Sequence, residues 1–316
     1  MDAYAQRAAE VVRQAGQVLF GKESEIREIL LAILANGHIL LEDIPGVGKT
    51  TLAMAFSRTL DLEYRRVQFT PDVLPSDLTG FSVYRREQEA FVYQPGIVFC
   101  NLLLADELNR TSPKTQSALL EAMQEGQVTA EGVTRKLPAP FLVIATQNPL
   151  GSAGTQPLPE SEADRFSVSL SLGYPDLESE LAMARAVGME RPVERLRPIL
   201  SRDELLSMQE AIHGVYIHER VFRYLAELVR ATRNHPALSH GAGPRATIAL
   251  VKLSKAAAWY EGRDFVTPAD VLGQFPYVVS HRLALNADAV MRHLTVRETI
   301  RQISGSVKKP PIEVRR

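Results

Sequence analysis

Four groups of residues in this chain have types and spacings suited to phosphate chemistry. The first is the run Glu42-Asp43-Ile44-Pro45-Gly46-Val47-Gly48-Lys49-Thr50-Thr51, which follows the apolar segment His38-Ile39-Leu40-Leu41. Glycines at 46 and 48 let the backbone bend tightly and aim successive N–H groups at an anion. Lys49 would bring a cation to the β- and γ-phosphates of a nucleoside triphosphate, and Thr50 a hydroxyl to Mg²⁺. A helix expected from Thr51 to Leu60 would turn its positive end toward the same anion. The strict pattern G-x-x-x-x-G-K-[ST] has glycine where this sequence has Asp43, so the motif is one residue short. A dinucleotide fingerprint fits less well, because the place that needs a small residue holds Thr51, followed by Leu52.

The second group is Asp106-Glu107, which ends the apolar run from Ile97 to Ala105, expected to be a strand buried on both faces. Ligands in parallel α/β sheets lie at the carboxyl ends of strands. There Asp106 would hold Mg²⁺ through water, while Glu107 would polarise the attacking water. The third is Asn148, at the end of the apolar run that starts at Phe141, within reach of the γ-phosphate or the water. Capping of the turn before Pro149 is an equally ordinary task for an asparagine there. The fourth is Arg245 in Gly241-Ala242-Gly243-Pro244-Arg245-Ala246, which would occupy the first turn of a helix. A cation is disfavoured there by about 0.3–1 kcal/mol, so holding phosphate would give it a purpose, although a surface arginine tolerates such a cost.

These groups need a scaffold, and the hydrophobic pattern supplies one. Ile26, Ile29, Leu30, Ile33 and Leu34 share one helical face and lead into the first strand. Strands are also expected at 64–69, 97–105, 141–148 and 167–170. Between them lie a proline-containing stretch at 70–80, a helix opened by Ser112-Pro113 and ended by Gly126, and two β-hairpins at about 81–96 and 127–140. The first hairpin suits a solvated surface or a loop that touches substrate. Past Gly173-Tyr174-Pro175 the pattern is helical, with a capping box at Ser201–Glu204 and another helix opened by Thr267-Pro268-Ala269-Asp270. The expected division is 1–173 as a nucleotide-binding α/β domain with an N-terminal helical segment, 174–300 as a separate helical lid, and 301–316 as a basic Pro-containing tail.

Composition narrows the function classes. The chain has 316 residues, a formal net charge of −1 and 45% apolar residues, values ordinary for a globular protein and unfavourable to a broad nucleic-acid surface. One cysteine, Cys100, permits no intramolecular disulfide and suits a reducing compartment. With no signal-peptide pattern and no apolar run near the roughly 18 residues that cross a bilayer, the expectation is a cytoplasmic protein without a membrane span. Among the seven histidines none has the i, i+4 spacing of a helical zinc site, so no metal beyond Mg²⁺ is expected.

Taken together, the motifs resemble AAA+ ATPases and, among them, the MoxR family over nearly the full length. Residues 43–50 are similar to Walker A, Leu102-Leu103-Leu104-Ala105-Asp106-Glu107 to Walker B and Asn148 to sensor 1. Leu41-Glu42-Asp43-Ile44-Pro45-Gly46 is close to the MoxR wording, which makes Asp43 a family trait. Phe69-Thr70-Pro71-Asp72 and Leu158-Pro159-Glu160 strengthen the likeness. The resemblance implies a P-loop AAA+ core with a central parallel five-stranded sheet flanked by helices and hairpin insertions, followed by an all-α lid. It further implies Mg-dependent ATP hydrolysis in a ring, usually a hexamer, that remodels a client complex with a von Willebrand factor A domain protein as partner. Arg165 then looks like an arginine finger reaching the neighbour's γ-phosphate, Arg245 like sensor 2, and Gly21-Lys22 like the stretch flanking adenine. A nucleic-acid motor and a metal-chelatase subunit are alternatives of related fold.

Overall fold

Short apolar strands separated by amphipathic helices bury their surfaces best as a central sheet covered on both faces. The computed structural model describes residues 2–44, 46–147, 158–185 and 192–311. Helices α1 (Asp2–Gly16) and α2 (Glu23–Leu34) lead into β1 (Ile39–Glu42), and the glycine loop connects β1 to α3 (Lys49–Thr59). There follow β2 (Tyr64–Gln68), α4 (Pro75–Thr79), a hairpin of β3 (Gly80–Arg85) and β4 (Ala90–Pro95), and then β5 (Leu102–Asp106) and α5 (Pro113–Glu125). A second hairpin of β6 (Gln127–Ala130) and β7 (Val133–Lys136) precedes β8 (Leu142–Gln147), α6 (Glu160–Ala163) and β9 (Val168–Leu170). The main sheet has the order β2-β5-β8-β1-β9, and every neighbouring pair is parallel. All carboxyl ends therefore share one rim, a condition that the four residue groups require.

One strand is shorter than expected. The run from Ile97 to Asn101 is not part of β5: the Ile97 and Val98 N–H groups donate to Asp77 O (3.0 Å) and Leu78 O (3.3 Å), and the Asn101 N–H to Glu63 O (3.0 Å). These bonds tie it to α4 and to the start of β2, while Val98 and Cys100 remain fully buried. Apolar runs report burial and say little about which backbone partners satisfy the chain. Burial pushes the Cys100 thiol up to about 12.

Both hairpins form at the expected places. Glu131 and Gly132 turn the second with successive positive φ angles of 54° and 77°, the geometry of a tight primed turn. The hairpins also dock on one another: Glu131 accepts bonds from the Ser82 N–H (3.0 Å) and hydroxyl, and the Arg135 guanidinium lies 3.6 Å from the Tyr93 ring centre.

The C-terminal region contains α7 (Leu177–Arg185), α8 (Arg202–His213), α9 (Glu219–Arg233), β10 (Leu238–His240), α10 (Pro244–Tyr260) and α11 (Pro268–Val279). It ends with β11 (Ala284–Leu285), α12 (Ala287–Met291) and α13 (Val296–Ser306). Among its described residues it is helical apart from the small antiparallel β10–β11 pair and an isolated bridge between Tyr216 and Phe265. The capping box of Ser201 with Glu204 forms as expected, and the helix opened at Thr267 is capped by a second box with Asp270. These helices pack against the sheet domain: Leu225, Leu253 and Trp259 belong to one buried cluster with Ile26, Leu31 and Ile39. A second cluster lies on the other face of the sheet, beneath α5. Helix α13 also runs through the expected boundary at residue 300. Among the described residues no helix is long and apolar enough to cross a membrane.

Candidate active site

At the carboxyl rim of the sheet, β1, β5 and β2 deliver residues into one cavity of about 400 Å³. Gly46, Gly48, Lys49 and Thr50 line one side, and Arg66, Gln68, Asp106 and Glu107 the other. The loop can take this path because Gly46 and Gly48 hold φ at 89° and 94°, where a side chain would be strained. Lys49 begins α3, is buried, and donates from Nζ to Asp43 O at 3.0 Å. Burial lowers its pKa, and the carboxylates of Asp106, Asp43 and Glu107 act in the opposite direction. Residues separated by 57 positions in the chain thus come to one pocket, on the same rim.

The acid pair is held by a residue that the sequence did not single out. Thr146, near the end of β8, donates its hydroxyl to Asp106 Oδ1 (2.7 Å) and accepts the Glu107 N–H (2.8 Å). Glu107 has a left-handed backbone (φ 56°, ψ 44°), a conformation that costs a residue with a side chain of order 1–3 kcal/mol. Arg110 donates to Glu107 Oε2 (2.7 Å), and Arg66 from β2 donates to Asp106 Oδ2 (2.7 Å). Arg66 and Gln68 are two apart on a strand and so face the same way. The sequence marked β2 as a strand, but nothing in it marked β2 as the neighbour of β5.

Asp43 has a separate task. Its carboxylate is buried and accepts bonds from the Ser171 hydroxyl (2.6 Å), the Leu172 N–H (2.7 Å) and the Gly173 N–H (3.0 Å). The residue that departs from the strict phosphate-loop pattern therefore fastens the loop to the segment leading into α7. Asp43→Ala would leave three donors without their acceptor and is expected to cost about 3 kcal/mol, measurable by denaturant unfolding. Asp43→Asn, which retains one carbonyl oxygen, should cost less.

Past Gly46 and Gly48 the cleft continues into a second, mainly apolar cavity of about 450 Å³. Leu19, Phe20 and Lys22 line it from the stretch before α2, and Tyr174, Pro175 and Met183 from the start of the C-terminal region. Lys22 Nζ donates to Tyr174 O (2.9 Å) and joins the two walls. The expectation that Gly21-Lys22 flanks the base named no residue for that contact, and most of the opposite wall lies some 150 positions away. A polar, cation-bearing cavity joined to an apolar slot matches the two ends of a nucleotide. Two carboxylates and the Thr50 hydroxyl beside the phosphate side are oxygen ligands suited to Mg²⁺.

Arg165 and Arg245 lie elsewhere. The Ser167 N–H donates to His38 O (2.8 Å) at the amino end of β1, so Arg165, just before β9, sits on the opposite rim from Lys49. Arg245 is the second residue of α10, and its Nη2 donates to Gln124 Oε1 (3.3 Å) while its Nη1 lies 3.7 Å from Asp164 Oδ2. Gln124 follows Met123, whose carbonyl bonds the His38 ring (3.0 Å), so Arg245 shares that rim. The sheet separates the two rims by about 15 Å of strand. Neither arginine is among the residues lining the Lys49 cavity. Pro45 and Asn148 lie outside the described residues.

Residues 38–168 match the ATPase family associated with various cellular activities (AAA), and residues 230–303 match the AAA lid domain. The chain is 42% identical over 299 residues to YeaC of Bacillus subtilis, an uncharacterized protein, covering 95% of this chain and 93% of that relative. It is 37% identical over 305 residues to the chaperone MoxR1 of Mycobacterium tuberculosis, covering 94% and 80% of the two chains. A crystal structure of a chain from Cytophaga hutchinsonii, described as an ATPase, superposes with a TM-score of 0.90 at 39% identity, covering 98% and 96%.

Proposed function

Because the chain belongs to the MoxR family of AAA+ ATPases, we propose that it hydrolyses ATP with Mg²⁺ in an oligomeric ring, as a chaperone-like remodeller of a client protein complex. The observation that carries this is the division of charged groups between the two rims of one sheet. Lys49, Asp106 and Glu107 converge on the carboxyl rim, whereas Arg165 and Arg245 lie at the amino rim and cannot reach the same pocket. A second protomer facing the cavity with its amino rim would complete it, which is the physical case for a ring.

In this proposal the N–H groups and Lys49 would hold the triphosphate, Thr50 and, through water, Asp106 would hold Mg²⁺, and the apolar cavity around Phe20 and Tyr174 would take the base. Mg²⁺ held there would neutralise charge on the triphosphate. Glu107 accepts hydrogen bonding from the attacking water and orients it, held in place by Arg110 and by the Thr146 contact to its backbone. Arg165 of the adjoining protomer stabilises the charge that develops on the transferred phosphoryl group, and Arg245 assists from the same rim. Asn148 is assigned to the water or the γ-phosphate by family resemblance. The chaperone role follows the named relative, and a von Willebrand factor A domain protein is the partner class that the family implies.

Lys49→Ala tests the phosphate pocket. Losing a charge-assisted contact is expected to weaken ATP binding by about 10- to 100-fold, read by titration calorimetry. Affinity equal to the parent's would reject this assignment of the cavity.

A further inference from the structure

The segment that carries Arg165 is gripped by a side chain 118 positions beyond Asp164. Arg282, at the end of the 3-10 turn Ser280–Arg282 after α11, is 3% exposed and directs all five of its N–H bonds inward. Four reach the finger segment: Nε to Asp164 Oδ1 (2.7 Å), Nη2 to Asp164 O (2.9 Å) and Phe166 O (2.6 Å), and Nη1 to Ser167 O (3.4 Å). The fifth goes to Val278 O, near the end of the preceding helix α11. The adjacent His281 donates from Nε2 to Phe166 O at 3.1 Å, adding a second grip from the same turn. The carbonyls on both sides of Arg165 are thus fixed to the C-terminal region. Arg165 itself is left outside this network, its buried Nε without a hydrogen-bond partner among the described residues.

A planar guanidinium with every donor satisfied holds its partners in one orientation, which a flexible ammonium does not. If α11 shifts, residues 164–167 shift with it. We infer that Arg282 is a positioning residue for Arg165, so that the seating of the C-terminal helices in one protomer sets hydrolysis in the next. Asp164 is the joint of this device, since its carboxylate faces Arg282 on one side and Arg245 on the other. The inference rests on the arginine-finger role proposed above.

Arg282→Lys keeps the positive charge and removes the fork. Because a 1 Å displacement near reacting groups can cost about 10²-fold, kcat is expected to fall by about that factor with KM for ATP unchanged. Mixed assemblies identify where the defect lies. Glu107→Gln protomers have an intact finger and an impaired pocket, so adding them to Arg282→Lys protomers should restore hydrolysis. Arg165→Ala protomers lack the finger and should restore nothing. Unchanged kcat in folded Arg282→Lys, or rescue by Arg165→Ala protomers, would overturn the inference. If Arg282→Lys does not fold, Asp164→Asn, which keeps the three carbonyl acceptors, is read by the same criteria. The pair Arg165→Ala with Glu107→Gln is the control: if it stays inactive, the finger assignment fails, and if it recovers while the Arg282→Lys pair does not, only the positioning role fails.

Discussion

Arg165→Ala protein is expected to bind ATP like the parent and to hydrolyse it about 10³- to 10⁵-fold more slowly, the range that loss of an arginine finger produces. The effect is large because phosphoryl transfer asks little of the protein beyond position and charge, and this cation meets charge that exists only in the transition state. Arg165 lies on the amino rim, at the far end of the strands from its own Lys49. Its loss should therefore leave the chain's own nucleotide affinity intact, as titration calorimetry would show. Hydrolysis should also rise more steeply than in proportion to protein concentration, since a lone protomer lacks the finger. A strictly monomeric preparation with full specific activity would remove Arg165 from the mechanism.

Glu107→Gln is expected to bind ATP with parental affinity and to lose about 10²- to 10⁴-fold in kcat, the range for removing a positioned base. The amide retains the volume and the carbonyl oxygen, so the left-handed turn at 107 and the Thr146 contact to its backbone should persist. A bound, unhydrolysed nucleotide in a purified sample, together with prolonged association with client protein, would be the accompanying signature. If single-turnover hydrolysis proceeds at the parental rate, the general-base role belongs to another group. Mixed in equal amounts, Arg165→Ala and Glu107→Gln protomers should hydrolyse ATP where neither does alone. The finger of one then meets the intact pocket of the other.

The local chemistry was legible in the chain before any coordinates. The glycine loop, its lysine and the helix behind it are contiguous in the chain, so backbone freedom and helix polarity are enough to define them. The same holds for the helix starts at Ser112 and Thr267 and the capping box at Ser201, all of which depend on bonds spanning a few residues. The error at 97–101 shows where this ends: the side chains are buried as a strand's would be, yet the backbone partners are in α4 and before β2.

By itself, then, the sequence determined the phosphate loop, the acid pair and the alternation of strands and helices, because each is written in neighbouring residues. Tertiary structure alone decided that Thr146 joins Asp106 to Glu107 and that Asp43 fastens the loop to residues 171–173. It also decided that Arg165 and Arg245 share a rim held by Arg282. Those contacts bridge 39 to 130 positions, and their geometry follows from the order β2-β5-β8-β1-β9. That order is chosen by the packing of whole faces, to which each residue contributes only a little.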